Sequence, residues 1–305
     1  MAGILKAQSE GNVEVNDAWR NAEAKSPGPA YPGGAAGVRE FPFTQDDFTR
    51  VRNLIYQHAG ISLSPIKKEM VYSRLVRRLR VLGHGSFETY LAFLESNGEE
   101  TEAFVNALTT NLTAFFREPH HFEILAQQMK GGHARPFRIW CAAASTGEEA
   151  YSLAMTACEA FDSMTPPVSI LASDIDTHVL RTASEGIYPI ERIDKMDRQR
   201  LKRFFLRGSG SKAGFVRVRP ELQALLQFQR INLLDSEWPM QIAFDAIFCR
   251  NVMIYFDKVT QLKLLQRFKP HLHAHGLFYA GHSESFLHAA ELYRSRGRTV
   301  YEHAR

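Results

Sequence analysis

Between Thr44 and Thr110 the apolar positions recur at helical spacing. Phe48, Val51, Leu54 and Ile55 make one stripe and Val71, Leu75, Leu79 and Leu82 a second. Helix punctuation accompanies them: Thr44 is followed three residues later by Asp47, Gly60 reads as a stop and Pro65 stands near the next start. A helical domain over residues 43–110 is expected. After about Pro119 the pattern becomes short apolar runs, FRIWCA, VSILAS and FDAIFC, alternating with helical stretches such as EEAYSLAMTACEAF and one that starts at Thr177. That alternation predicts an α/β fold with a doubly wound, parallel sheet over residues 119–305. The segments GLFYAGHSESF and RTVYEHAR supply two further strand candidates. Between Gly186 and Arg230 the alternation breaks into a basic, helix-then-strands segment, read as a small β-subdomain inserted at 187–230. Residues 111–118 are a linker contributing to the site, and residues 1–42, with the Pro/Gly/Ala-rich stretch SPGPAYPGGAAG, read as a disordered tail.

Composition narrows the picture only a little. With 305 residues, 45% hydrophobic and 23% charged, the chain is an ordinary folded protein. No apolar run approaches the ~20 residues that span a bilayer, and MAGILKAQSEGNVEV lacks the form of a signal peptide, so a cytoplasmic protein is expected. Cys141, Cys158 and Cys249 form no paired framework and read as reduced thiols. A net charge of +4 without aromatic-interleaved basic patches does not suggest a nucleic-acid partner, and a monomer is expected. His271, His273 and His275 alternate like metal ligands but adjoin Pro270 and Gly276 without an acidic or cysteine partner at ligand spacing; they read as a surface turn. His120 and His121, after Pro119, read as structural, and no metal is expected.

The candidate chemistry lies where strands end. FRIWCA runs into Ala143-Ala144-Ser145-Thr146-Gly147-Glu148-Glu149, a turn of small residues that opens a helix and lets a ligand approach the backbone. The turn is not GxGxxG, and two glutamates at a helix start repel a pyrophosphate. A cationic or zwitterionic nucleotide fits better, although acidic residues also complement the helix dipole in an ordinary tight turn. The next strand ends in Ser173-Asp174-Ile175-Asp176; one acid there can bind ribose hydroxyls, and either can cap the following helix. Asn232 and the pair Arg250-Asn251 follow later strand-like runs.

Taken in order, NALTTNLTAFFRE, RIWCAAASTGEEAYSLA, ASDIDTHVL, INLL, FDAIFCRNVMIYFD and GLFYAGHSES resemble the CheR family of chemotaxis receptor methyltransferases, from about Phe43 to the C-terminus. The resemblance implies a Rossmann-like class I methyltransferase domain packed on an all-α domain, with S-adenosylmethionine (SAM) as cofactor and S-adenosylhomocysteine (SAH) as product. It implies cofactor contacts at Asn111, Thr113, Arg117, Glu148, Asp174, Asn232, Leu233, Arg250 and Asn251. Arg117 is the candidate partner of the methionine carboxylate. Tyr255 is the candidate for lining the methyl-transfer point, with a packing aromatic as the alternative. The implied acceptor is a glutamate on the methylation helices of a methyl-accepting chemotaxis receptor, converted to its methyl ester in sensory adaptation, so the protein would meet the membrane only through the receptor.

A basic helix reads an acidic one, and Lys67, Lys68, Arg74, Arg77, Arg78 and Arg80 cluster on one predicted helix, with Lys67, Arg74 and Arg78 near one face. A solvated face is the bland alternative. The insert segment LRGSGSKAGFVRV, with Gly208, Gly210 and Gly214, resembles the subdomain that grasps a C-terminal receptor pentapeptide by strand addition, though any hairpin also uses glycine. Three rival readings stand beside it: a nucleic-acid methyltransferase, a non-enzymatic binding member, and an NAD-linked oxidoreductase, which the missing GxGxxG disfavours.

Overall fold

The computed structural model describes residues 39–131 and 136–304. The tail expected over 1–42 therefore lies outside the described residues, apart from 39–42. The first layer is helical: α1 (Gln45–Ala59), α2 (Lys68–Leu82), α3 (Phe87–Ser96) and α4 (Gly98–Leu108). The start of α1 is a reciprocal cap, with the Asp47 N–H donating to Thr44 Oγ1 at 3.0 Å and the Thr44 N–H to the Asp47 carboxylate at 2.9 Å. Gly60, at φ 67°, ends that helix. Both apolar stripes meet in one core with Phe87, Tyr90, Leu91 and Phe104. Leu82, expected in the second stripe, is instead 37% exposed, because α2 stops there at Gly83.

The α/β layer follows: α5 (His120–Lys130), β1 (Phe137–Ala142), α6 (Glu148–Ala160), β2 (Val168–Asp174) and α7 (Thr177–Glu185). The insert contributes β3 (Ile187–Pro189), α8 (Arg198–Phe204), β4 (Phe205–Arg207), β5 (Phe215–Val218) and α9 (Pro220–Gln223). The chain continues with β6 (Leu226–Arg230), β7 (Phe244–Cys249), α10 (Lys258–Phe268), β8 (Leu272–Ala280), β9 (Tyr293–Gly297) and β10 (Val300–His303). The main sheet has the order β6-β2-β1-β7-β8-β10-β9. Its first five strands are parallel, and β10 runs antiparallel to both β8 and β9. From β1 the chain winds outward through β2 to β6, then returns to lay β7 on the other side of β1. Doubly wound sheets open a ligand crevice at such a reversal, at the carboxyl ends of the strands.

Three details differ from the expectation. Leu226–Arg230, assigned to the insert, pairs with β2 as an edge strand of the main sheet, while β3, β5 and β4 form a separate antiparallel sheet. His273 and His275 lie in β8 itself, where the register against β7 shifts from Leu272 to Leu277, so a bulge rather than a turn accommodates them. The C-terminal region also holds a strand the pattern did not announce, β9, in which only Tyr293 is buried.

The small sheet is fastened to the α/β layer beside the first strand turn. Tyr188 donates its hydroxyl to Thr146 O at 2.8 Å, and Phe115 meets Tyr188 and Phe205 edge-on at 5.1 and 5.6 Å.

Candidate active site

A cavity of about 340 Å³ lies between the helical layer and the carboxyl ends of β1, β2 and β7. That size falls in the ~300–1,000 Å³ range of small-molecule sites. One wall is made of strand-end residues, Ala143, Ser145, Glu149, Asp174, Leu233, Arg250 and Asn251 among them. The other comes from the helical layer and linker, including Lys67, Met70, Thr109, Asn111, Leu112, Thr113 and Arg117.

The turn after β1 achieves close backbone approach without GxGxxG. Ala143, Ser145 and Gly147 have φ of 102°, 51° and 96°, three alternate residues in left-handed backbone. At Gly147 a side chain is also excluded by space, since a Cβ would stand 2.8 Å from both Ala183 Cβ and the Tyr188 hydroxyl. The Ala143 and Ala144 N–H groups both donate to Ser173 O at 2.8 Å, locking the turn to the end of β2.

The two acids after β2 divide their roles. Asp176 caps α7, accepting from the His178 and Val179 N–H groups, and its other oxygen accepts from Thr109 Oγ1 at 2.8 Å and Asn111 Nδ2 at 2.9 Å. Asp174 faces the cavity, accepting from the Ser145 N–H at 2.8 Å and the Asp176 N–H at 3.0 Å. Burial pushes the Asp174 carboxyl up to about 6, against the opposing pull of those backbone donors. Each carboxylate oxygen keeps further lone-pair capacity for a hydroxyl.

The glutamates at the start of α6 differ from the expectation. Glu148 is fully buried but is absent from the cavity wall: it accepts from Thr146 Oγ1 at 2.6 Å and lies 3.5 Å from Arg192. Glu149, one residue and about 100° around the helix, is the one in the wall. Burial pushes its carboxyl up while Arg250, donating at 2.8 Å, opposes that shift. Arg250 is 5% exposed and also donates to Arg117 O at 2.5 Å, leaving its Nε buried without a partner.

Most other expected residues also line the cavity. Asn111, Thr113, Arg117, Asn232, Leu233, Asn251 and Tyr255 are all in its wall. The Asn232 amide is partly committed to the fold, donating to His58 O at 2.9 Å and accepting from the Leu234 N–H at 3.0 Å. The Tyr255 carbonyl accepts from the Ser62 N–H at 2.8 Å, tying the two layers together. Asn251, at φ 58°, sits so close to Gly281 that a Cβ there would lie 2.3 Å from Asn251 Nδ2.

The expected basic face is redistributed. Arg78 turns inward, donating to both Glu100 oxygens at 2.9 and 2.5 Å, and Tyr90 donates to the same carboxylate at 3.0 Å. Arg74 is half-buried and donates to Leu108 O at 3.0 Å and Thr109 O at 2.6 Å, capping α4. Burial lowers the Arg74 pKa. Lys67 and Arg77 remain exposed, and Lys67 and Met70 lie in the cavity wall. In the insert, Gly208 is required by space, a Cβ there standing 2.1 Å from Lys212 O, while Gly210 and Gly214 have φ of 57° and 90°. Hairpin geometry accounts for these three glycines.

Glu118, His120 and His121 gather potential metal-ligand atoms within 4.8 Å of one another. Arg250, 3.3 Å from the Glu118 carboxylate, already places a cation beside them.

The donor set suits SAM. An acidic strand end faces the cavity, Glu149 and Arg250 bring a carboxylate and a guanidinium with an unpartnered Nε to its wall, and Ile175, Ile231, Leu233 and Phe256 supply apolar wall. A model of the CheR methyltransferase SAM-binding domain matches residues 111–301, and one of the CheR all-alpha domain matches residues 46–109. The chain belongs to the CheR methyltransferase family. It is 54% identical over 275 residues to chemotaxis protein methyltransferase 2 of Pseudomonas aeruginosa, covering 90% of this chain and 98% of that one. It is 52% identical over 260 residues to the chemotaxis protein methyltransferase of Escherichia coli, covering 83% and 89%. Among solved structures, a TehB-like SAM-dependent methyltransferase from Corynebacterium glutamicum has a TM-score of 0.35 and 13% identity, covering 61% of this chain and all of that one. No helix among the described residues is long and apolar enough to cross a membrane.

Proposed function

We propose that this CheR methyltransferase transfers the methyl of SAM to glutamate side chains on the methylation helices of chemotaxis receptors. The observation that carries the acceptor is a basic ridge that begins in the cavity wall. Lys67, Met70 and Arg77 fall at i, i+3 and i+10, one stripe of α2 and its lead-in turn, with the half-buried Arg74 between them committed to the end of α4 and with Lys67 and Met70 lining the cavity. Leu112 and Ile254, also in the wall, are 78% and 50% exposed and add apolar contact at the opening. Such a surface complements an amphipathic helix carrying glutamates.

SAM, when bound, supplies a methyl group activated by its sulfonium. Asp174 is the group for the ribose hydroxyls, Glu149 for the ammonium, Arg117 for the methionine carboxylate, and Leu233 for packing on adenine. Tyr255, in the cavity wall, is the group for lining the position of transfer. A glutamate with a pKa near ~4.3 is already ionised at neutral pH, so the protein needs no base and contributes chiefly alignment and exclusion of water. The small sheet β3-β5-β4 offers its edges to a receptor tail peptide by strand addition.

The test is calorimetry with SAM and SAH, followed by transfer of labelled methyl to receptor-containing membranes. Base-labile label on receptor, recovered as methanol, is the expected result. Failure to bind either ligand, or label only on nucleic acid, would overturn the reading.

A further inference from the structure

Arg117 sits at the top of an unusual turn. Its two neighbours, Phe116 and Glu118, are both non-glycine residues in left-handed backbone, at φ 52° and 59°. Bulky residues adopt that conformation only when their surroundings hold them there. Phe116 is held by its N–H, which donates to Ser152 Oγ at 2.9 Å, by an edge contact with Phe122 at 5.2 Å, and by Arg200 stacked 4.0 Å over its ring.

Glu118 is held through its carboxylate. Oε1 accepts from the His282 N–H at 3.3 Å and faces His282 Nδ1 at 3.1 Å. Oε2 lies 3.3 Å from Arg250 Nη2 and 3.5 Å from His121 Nδ1. The side chain is only 10% exposed, yet Glu118 is absent from the cavity wall. Burial alone would raise its carboxyl, but Arg250 and the His282 hydrogen bonds hold it down at about 2. The same Arg250 nitrogen that faces Glu118 donates to the Arg117 carbonyl, and the other terminal nitrogen donates to Glu149.

We infer that Glu118 is a positioning residue, whose carboxylate fixes Arg117 and Arg250 in the cavity wall by joining the linker, the end of β7 and the segment after β8. Without it, Arg250 has one carboxylate left and rotates toward Glu149, the Arg117 carbonyl loses its donor, and the strained turn opens. The inference rests on the SAM reading above, since the groups it positions are those assigned to the zwitterionic end of the cofactor.

Two substitutions separate positioning from simple backbone strain. Glycine relieves the left-handed residue while deleting the carboxylate, and glutamine keeps the shape while deleting the charge. In the full chain, Glu118→Gly should weaken SAH binding by calorimetry about 10- to 100-fold, the weight of a charge-assisted hydrogen bond, with only a small fall in melting temperature, because Arg250 keeps Glu149 as a buried partner and glycine relieves the left-handed residue. Glu118→Gln should weaken it less, about 5-fold, because the His282 contacts survive. For both variants the KM for SAM should rise more than kcat falls. In the cofactor-free protein, amide exchange at Arg117, position 118 and His282 should accelerate in Glu118→Gly and less in Glu118→Gln. Glu118→Gly binding SAH like the parent would overturn the inference, as would a binding loss matched by loss of melting stability. A parent chain that binds neither SAM nor SAH would instead overturn the cofactor reading, and this inference with it.

Discussion

The two walls of the cavity are built to different standards. On the strand-end side the polar groups are buried and held before any ligand arrives: Ser145, Asp174 and Arg250 are 9%, 8% and 5% exposed, and each has hydrogen-bonded partners in the fold. On the helical side Lys67 is exposed and Leu112 is 78% exposed. Prior fixation suits a small, invariant ligand, because little ordering remains to oppose binding. An open rim of long side chains suits a larger partner that brings its own surface. On the function proposed above, cofactor and acceptor would be read by separate wall segments, so substitutions should separate the two affinities.

The largest effect should come from the rigid wall. Asp174→Ala removes the carboxylate proposed to hold the ribose hydroxyls and should weaken SAH binding about 100-fold, near 2.7 kcal/mol, as measured by calorimetry. The helical layer should respond in stability instead. Arg78→Ala strands the buried Glu100 carboxylate and should lower unfolding free energy by about 2 kcal/mol, below the usual range for a buried pair because the Arg78 side chain is 25% exposed. Cofactor affinity should hardly move, and urea unfolding beside calorimetry checks both.

Acidity offers a graded test of the same contrast. Because burial pushes Asp174 up to about 6, the empty site takes up a proton as pH falls through that value. On the proposed role, ionised Asp174 is the form that accepts ribose hydroxyls, so affinity should be flat above pH 7 and fall about tenfold per unit below 6. Asp174→Asn should flatten the curve. The smallest effect belongs to the open rim: Lys67→Glu plus Arg77→Glu should reduce methyl transfer to receptor membranes about fivefold at moderate salt while SAH affinity stays put. A matching fall in SAH affinity would erase the distinction between the walls.

How much of this was legible in the chain depends on which property each residue type reports. The capping box at Thr44, the stop at Gly60 and the strand turn after Cys141 were readable because local hydrogen bonding and φ dictate those residues. Strand β9 was not, since its sequence YRSRG buries only its first residue and offers no alternation. Strand β6 alternates, as LQFQR, but nothing local says which sheet it joins, and only the pairing with β2 does. Glu148 and Glu149 are adjacent acids at a helix start, so which of them lines the cavity turns on helix phase, and Glu149 is the one in the wall. Arg78 and Arg77 pose the same difficulty: the partner that draws Arg78 inward, Glu100, is 22 residues away and belongs to another helix. The role inferred for Glu118 had no local signal, since a carboxylate that gathers His282, Arg250 and His121 is defined entirely by distant segments.

Strand β9 ends the main sheet, and a terminal strand leaves backbone donors and acceptors open to any passing extended chain. Its exposed positions include Arg294 and Arg296, both paired to Glu302 on the neighbouring β10. Charge on an outermost strand makes recruitment of a further, like strand unfavourable. The residues that hid this strand from pattern recognition thus also guard the sheet against stacking edge to edge with copies of itself, a protection against aggregation written into a strand that buries only its first residue.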